Sequence, residues 1–356
     1  MEEIIRLFAI EGSPVSCEPH GSGHINRTYR VTTDAGRTYT LQRINHHVFR
    51  DVEGLMGNVS GVTDWLRAKD PTPGHSLRLV PTLDGRLYTG DEAQGYWRMY
   101  DFIQNSLCLD APECLEDFRQ SAIGFGHFQS QLADYPAQTL AETIPHFHDT
   151  PDRFRQLHEA IDRDAAGRAA GVPEEIAFAL KREGDADRNT RLLAAGMLPL
   201  RVTHNDTKLN NVLLDSVTRT PLCVIDLDTV MPGLVCNDFG DSIRFGASTA
   251  AEDEQDTSLV SLSMERYVAY TDGFLEACGG ALTAEELRSL PWGARLMTLE
   301  VGIRFLADYL NGDVYFHTAY PEHNLVRART QFALLADMER KWNDMTAIIE
   351  RRIARD

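Results

Sequence analysis

The chain has 356 residues, 43% of them hydrophobic and 25% charged, which suits a water-soluble protein with room for two lobes. Its 53 acidic residues against 35 basic ones leave a net charge of -18. That balance argues against a broad basic face for nucleic acid, while a nucleotide needs only local cations and backbone N–H groups. No run is long and apolar enough to span a bilayer, and the N-terminus lacks a basic segment followed by an apolar one. Six scattered cysteines without Cys-x-x-Cys or zinc spacing read as reduced thiols, so the expectation is a cytoplasmic protein.

In chain order, residues 18–24 read as a glycine-containing turn, and Ile25 to Thr32 as a strand. Asp34-Ala35-Gly36 reads as a hairpin turn returning through Thr38 to Gln42. Leu55, Val59, Val62 and Leu66 recur at helical spacing until Pro71-Thr72-Pro73-Gly74. Strands are expected at Leu77 to Pro81 and Tyr96 to Ile103. Beyond residue 104 the periodicity changes. Helices are expected over 115–134, through much of 150–197, and from 258 onward, where Leu296, Leu299, Ile303, Leu306 and Leu310 form a stripe. The fold class is therefore α+β and bilobal: residues 1–104 form a β-rich, nucleotide-binding N-terminal lobe, and 105–356 a mainly helical lobe carrying the chemistry.

That chemistry centres on residues 204–214 and 224–228. Asp206 and Asn211 stand five residues apart, and Asp226 follows one hairpin later at the end of an apolar run. Phosphoryl transfer asks mainly for positioning and charge neutralisation. Asp206 is the candidate base for an acceptor hydroxyl. Asn211 and Asp226 offer hard oxygen donors for Mg2+. Lys208 is the candidate cation for the transferring phosphoryl oxygens. The competing reading is that Asn, Asp and Thr merely cap turns. The order of the three residues between apolar strands favours catalysis. His204 reads as a brace for the loop, and Asp228 and Asp241 as acceptors for loop N–H groups.

His204-x-Asp206-x-x-x-x-Asn211 followed by Asp226 resembles the signature of the aminoglycoside phosphotransferase and choline kinase superfamily, which shares the bilobal protein-kinase-like fold. Longer segments resemble its N-acetylhexosamine 1-kinase branch. They are residues 23–29, 41–45, 144–151, 226–233, 238–244 and 300–316. The resemblance implies transfer of the ATP γ-phosphoryl group to the anomeric hydroxyl of N-acetylglucosamine or N-acetylgalactosamine, with Mg2+. Asp206 would be the base, with Asn211 and Asp226 on the metal. Arg304 and Tyr315 would hold the sugar, Phe245 would lie beside it, and His24 and Ile25 would approach it together with Asp226. Gly23, Gln42, Arg43 and Tyr100 are the candidate nucleotide-binding residues.

The chain departs from the protein-kinase pattern at Gly21-Ser22-Gly23, which is not a full glycine loop, and at Leu41-Gln42-Arg43, which lacks the phosphate-pairing lysine. Either Gln42 or Arg43 is a candidate replacement, and Glu53 is a candidate acidic partner on the following helix. Arg304, with Glu300 and Asp308 four residues to either side, also reads as a surface ion-pair residue. Phe245 also reads as core. The segment 146–149 reads as a loop shaping the substrate mouth rather than a zinc site. The alternatives are a kinase for an aminoglycoside, choline or homoserine, and a non-catalytic kinase-like binding protein.

Overall fold

The computed structural model describes residues 1–21 and 25–354. The N-terminal lobe contains α1 (Glu2–Ile5), β1 (Pro14–Pro19), β2 (Arg27–Thr33), β3 (Thr38–Ile44), α2 (Val52–Lys69), β4 (Thr89–Asp91) and β5 (Gly95–Asp101). The strands form one antiparallel sheet in the order β1-β2-β3-β5-β4. The hairpin turn between β2 and β3 needs a left-handed residue, and Gly36 supplies it at φ 75°. The strand expected over Leu77 to Pro81 reduces to a single bridge, Leu79 to Tyr100. β4 already pairs the Gly95–Trp97 stretch of β5, and β3 holds its other edge, so little length is left to pair.

Helix α2 begins where Asp51 accepts a hydrogen bond from the Gly54 N–H at 2.8 Å. Its buried stripe of Leu55, Met56, Val59, Val62 and Leu66 packs under Ile44 and Tyr100. The same core continues into Phe128, Leu132, Val202, Leu227 and Val230 of the second lobe. Each such side chain contributes about 1.5–3 kcal/mol through burial. Asn58, 3% exposed, adds a polar joint across the lobes. Its Nδ2 donates to the carbonyls of Ala141 (2.8 Å) and Val230 (2.9 Å), and its Oδ1 accepts the Ala141 N–H at 2.8 Å.

The second lobe opens with β6 (Ser106–Leu107), α3 (Leu115–Gln131), α4 (Thr150–Arg163), α5 (Pro173–Leu180) and α6 (Arg188–Ala194). β7 (Arg201–Thr203), β8 (Val212–Asp215), β9 (Pro221–Val224) and β10 (Met231–Gly233) follow. They form two small sheets, β6-β8-β9 and β7-β10, that frame the motif loops. Helices α7 (Val235–Gly246), α8 (Met264–Cys278), α9 (Ala284–Asn311), α10 (His323–Arg340) and α11 (Trp342–Ile353) complete the lobe. α7 is buried on both faces, its polar residues Asp238, Asp241, Ser242 and Arg244 along with its apolar ones. α7 and α9 cross backbone to backbone, and a Cβ on Gly293 would lie 1.8 Å from the Cys236 carbonyl oxygen. Among the described residues no helix is long and apolar enough to cross a membrane.

Candidate active site

The loop between β7 and β8 is held from below by α7. Asp238 accepts the backbone N–H groups of His204 and Asn205, both at 2.8 Å, and the Gln129 amide at 3.0 Å. Asp241 accepts the Thr207 N–H at 3.1 Å, and the Ser242 hydroxyl donates to the Thr207 carbonyl at 2.7 Å. Burial pushes the Asp238 carboxyl above its ordinary value, and His204 with the two N–H donors opposes that rise. Burial also works on Asp241, but the Arg244 and Lys208 cations outweigh it and hold its carboxyl below the usual range. Asp241 thus has the loop-acceptor role expected for it, and Asp238, given no role from sequence, has the larger one.

His204 is fully buried and packs edge-on between Phe125 and Phe128. Its Nε2 donates to the Ile225 carbonyl at 2.8 Å, which leaves Nδ1 to accept the Asp206 N–H at 3.3 Å. The ring therefore joins the Asp206 loop to the segment bearing Asp226, as a brace. The Asn211 amide donates both to the Asp206 carbonyl (2.7 Å) and to its Oδ2 (3.1 Å). With its N–H groups committed, its oxygen is the atom available to a cation. Lys208 Nζ lies 2.8 Å from Asp206 Oδ1. Burial lowers the affinity of that amine for its proton, but Asp206 and Asp241 prevail and its pKa is raised.

Asp226 adopts a left-handed backbone at φ 58° and ψ 54°, a region that Asp tolerates better than most residues. Its side chain is open to solvent at the cleft, yet packed protein displaces water on its other sides. That desolvation, reinforced by Asp228 and Asp206, pushes its carboxyl up to about 6. Lys208 and Arg98 pair with Asp206 and Asp228, so among the described residues Asp226 is the member of this acidic cluster without an ion-pair partner, and no group of three or more acidic, histidine or cysteine side chains converges there to cage a metal.

Asp228 faces the other lobe instead of the loop N–H groups expected to be its partners. Its Oδ1 lies 2.5 Å from Arg98 Nη1, and its Oδ2 accepts from Asn26 Nδ2 at 2.5 Å. Arg98 and Asp228 are 1% and 3% exposed at their side chains. The guanidinium also donates through Nε (3.0 Å) and Nη2 (2.9 Å) to Gln42 Oε1, and Gln42 Nε2 donates to Thr28. Burial works against the Arg98 charge, but Asp228 overrides it and its pKa stands above the ordinary arginine value. Sequence reasoning passed over Arg98. The signal was a lone arginine inside the buried strand Tyr96-Trp97-Arg98-Met99-Tyr100, which has to find a countercharge.

This network revises the expectations for the missing lysine. Gln42 points inward but spends its amide on Arg98 and Thr28. Arg43 lies on the opposite face of β3, over the Trp97 ring at 5.8 Å. Tyr100 is 3% exposed and sits under Arg98, with 5.3 Å between guanidinium and ring. Glu53 is exposed, and the α2 residue that meets Arg98 is Met56, with 3.9 Å from Nη1 to Sδ. The acidic partner of the buried cation comes from the C-terminal lobe, not from α2.

Arg304 of α9 lies 5.8 Å from the Tyr315 ring and 5.3 Å from the Phe316 ring. The expected ion pairs do not form: Glu300 binds His148 and Thr150, and Asp308 accepts the backbone N–H groups of Val314, Tyr315 and Phe316. Tyr315 is 70% exposed, Ile25 47% and Phe245 37%, so Phe245 is not core. His146 pairs with Asp149 at the surface while His148 turns inward, so the two histidines share no ligand. Gly23 and His24 lie outside the described residues.

The fold has close counterparts. A microcompartment-associated aminopropanol kinase superposes with a TM-score of 0.62 at 18% identity, over 97% of both chains. An amicoumacin kinase, solved in complex with AMP-PNP, Ca2+ and Ami, gives 0.61 at 12% identity, over 93% of this chain and 91% of that one. An aminoglycoside phosphotransferase from Alicyclobacillus acidocaldarius gives 0.58 at 14% identity, over 100% and 97%. These likenesses establish the kinase-like architecture of two lobes. The model of the phosphotransferase enzyme family matches residues 16–264, which span the Asp206, Asn211 and Asp226 loops. The chain belongs to the phosphotransferase enzyme family.

Proposed function

We propose that this phosphotransferase moves the γ-phosphoryl group of ATP to the anomeric hydroxyl of an N-acetylhexosamine, giving the sugar 1-phosphate and ADP. The carrying observation is the acceptor wall. Among the described residues Arg304 has no carboxylate partner, both neighbouring acids are committed elsewhere, and the guanidinium already covers the Tyr315 and Phe316 rings. Such a wall repels an ammonium group and leaves no free aromatic cage for one. It suits a neutral acceptor with carbonyl and hydroxyl oxygens to offer an arginine. This weighs against aminoglycoside, choline and other amino-alcohol acceptors.

In this reading Asp206 accepts a hydrogen bond from the anomeric hydroxyl and aligns it for in-line attack. An anomeric hydroxyl is more acidic than an ordinary alcohol, so a carboxylate of modest basicity suffices. Lys208 steadies Asp206 and faces the charge that develops on the phosphoryl oxygens. Asn211 and Asp226 would hold Mg2+, which supplies neutralisation of the phosphate oxygens. Arg304 and Tyr315 orient the sugar, with Phe245 and Ile25 beside it. The arrangement also speaks against a non-catalytic binding protein, since base, amide and metal carboxylate are all present.

The test is an assay with ATP, Mg2+ and a panel of N-acetylglucosamine, N-acetylgalactosamine, galactose, kanamycin, choline and aminopropanol. Sugar 1-phosphate from an acetylated hexosamine should dominate. Turnover of a cationic acceptor without turnover of either acetylated hexosamine overturns the reading.

A further inference from the structure

Two acids flank Arg304 at helical spacing, yet neither pairs with it. Glu300 and Arg304, four residues apart on α9, present the arrangement that ordinarily yields an ion pair. Glu300 is fully buried, and both of its oxygens are engaged elsewhere. Oε1 lies 3.0 Å from His148 Nδ1, and Oε2 accepts the Thr150 hydroxyl at 2.9 Å. Asp308, the acid on the other side, is saturated by three backbone N–H groups at 2.9–3.0 Å and by Asn324 Nδ2 at 2.9 Å. Among the described residues Arg304 therefore keeps no carboxylate within ion-pair distance.

His148 does more than occupy Glu300. Its Nε2 faces the Asn205 carbonyl oxygen at 3.3 Å. The two ring nitrogens thus face a carboxylate oxygen of α9 and a backbone carbonyl of the Asp206 loop, which fixes the ring between the two. Asn205 directly precedes Asp206. The chain of contacts runs from the acceptor helix through Glu300 and His148 to the loop that holds the base. The charges around the ring are Glu300 on α9, Asp238 and Asp241 on α7, and Arg153 on α4, which faces the same Glu300 carboxylate. Burial would raise the Glu300 carboxyl, but His148 first, then Arg153 and Arg304, keep it below its usual value.

We propose that His148 is a positioning residue for acceptor recognition: by holding Glu300, it keeps the Arg304 guanidinium unpaired and free for the substrate. The inference rests on the reading of Arg304 as the acceptor-binding cation. Without His148, Glu300 would be left as a buried carboxyl facing two cations: Arg153, which already donates to Gln156 and to the His146 and Phe147 carbonyls, and Arg304 one turn along its own helix, which has no ion-pair partner among the described residues. The acceptor site would then be lost to an internal ion pair, although His148 itself touches no acceptor.

Two measurements test this. The first needs no acceptor. The side-chain Nε–H resonance of Arg304, assigned by its loss in Arg304→Lys, should exchange rapidly with water in the wild type and slow at least several-fold in His148→Leu. An unchanged exchange rate overturns the proposal, whatever the enzyme's substrate. The second reads N-acetylglucosamine kinetics. His148→Leu should raise its KM about 10-fold or more, as expected for loss of a charge-assisted contact, with a smaller effect on kcat. Adding Glu300→Gln to that variant should return KM to within about threefold of wild type, because a neutral amide no longer captures Arg304. A merely structural role predicts no rescue, and a double variant no better than the single one sinks the idea. If His148→Leu does not fold, His148→Asn, too short to reach both acceptors, replaces it in both arms. Absence of N-acetylglucosamine turnover in the wild type would count against the proposed function alone, with the exchange measurement still deciding the role of His148.

Discussion

Replacing Arg98 with methionine removes a charge from the seam between the lobes while keeping most of the side-chain volume. The structure sets the expected cost. Asp228 is 3% exposed at its side chain, and only the Asn26 amide would remain to satisfy it. Gln42 Oε1 would lose both of its donors. Breaking a buried pair from one side costs about 3–5 kcal/mol, because the other charge stays buried and unmatched. With about 2 cal/mol/K of unfolding entropy per residue, that lowers the melting temperature by roughly 4–7 °C in a chain of this length. Removing both charges is a different perturbation. Arg98→Met with Asp228→Leu exchanges an ion pair for apolar packing, which is often close to neutral. The double variant should recover at least half of the loss. Calorimetry on the wild type, both singles and the double closes the cycle. A single variant within 1 °C of wild type, or a double that melts below Arg98→Met, would refute the claim that this pair is an interdependent buried unit.

Other outcomes follow from the same geometry. Asp206→Asn should lower kcat by about 10^2–10^4 with little change in acceptor KM, since the contact matters chiefly as the proton leaves the hydroxyl; steady-state kinetics near wild type would remove Asp206 as the base. Asp226→Asn should raise the melting temperature of the metal-free protein while abolishing activity. The Asp226 carboxyl sits at about 6 in the fold, above its unfolded value, so its ionisation opposes folding above pH 6. The gain should be present above pH 6 and vanish as the pH falls below about 4, and a pH-independent gain would contradict it. Gly293→Ala should destabilise by about 1–3 kcal/mol or more, because the added methyl meets the Cys236 backbone and forces α7 from α9. Since α7 supports the catalytic loop, kcat should fall with it, and urea titration paired with kinetics reads both.

The sequence and the structure part company according to how local each feature is. The Asp206–Asn211 spacing, the β2–β3 hairpin and the stripe on α9 are legible because each depends on residues close in the chain. The two lobes follow from the change of periodicity near residue 104. Asp228 shows where this stops. Two residues from Asp226 it reads as a loop acceptor, but its partners, Asn26 just before β2 and Arg98 on β5, lie 202 and 130 positions away in sequence. α7 was not read as a helix although its polar and apolar residues segregate, and that its polar face is turned inward to support a loop is visible only in the fold. Arg304 was read with two candidate ion pairs, and only the fold reveals that His148 and the 314–316 backbone had already taken both acids.

Asn58 carries a consequence for control of the enzyme. In protein kinases, activation works partly by repositioning the helix that supplies the acidic partner of the phosphate-pairing lysine. Here the midpoint of α2 is fastened to the C-terminal lobe by three hydrogen bonds, within a core that both lobes share. An outward swing would have to break all three and open apolar surface to water. The helix is a fixed beam instead of a lever. A regulator acting through α2 would have to offset the loss of all three bonds, about 0.5–1.5 kcal/mol each, as well as the apolar contacts around them.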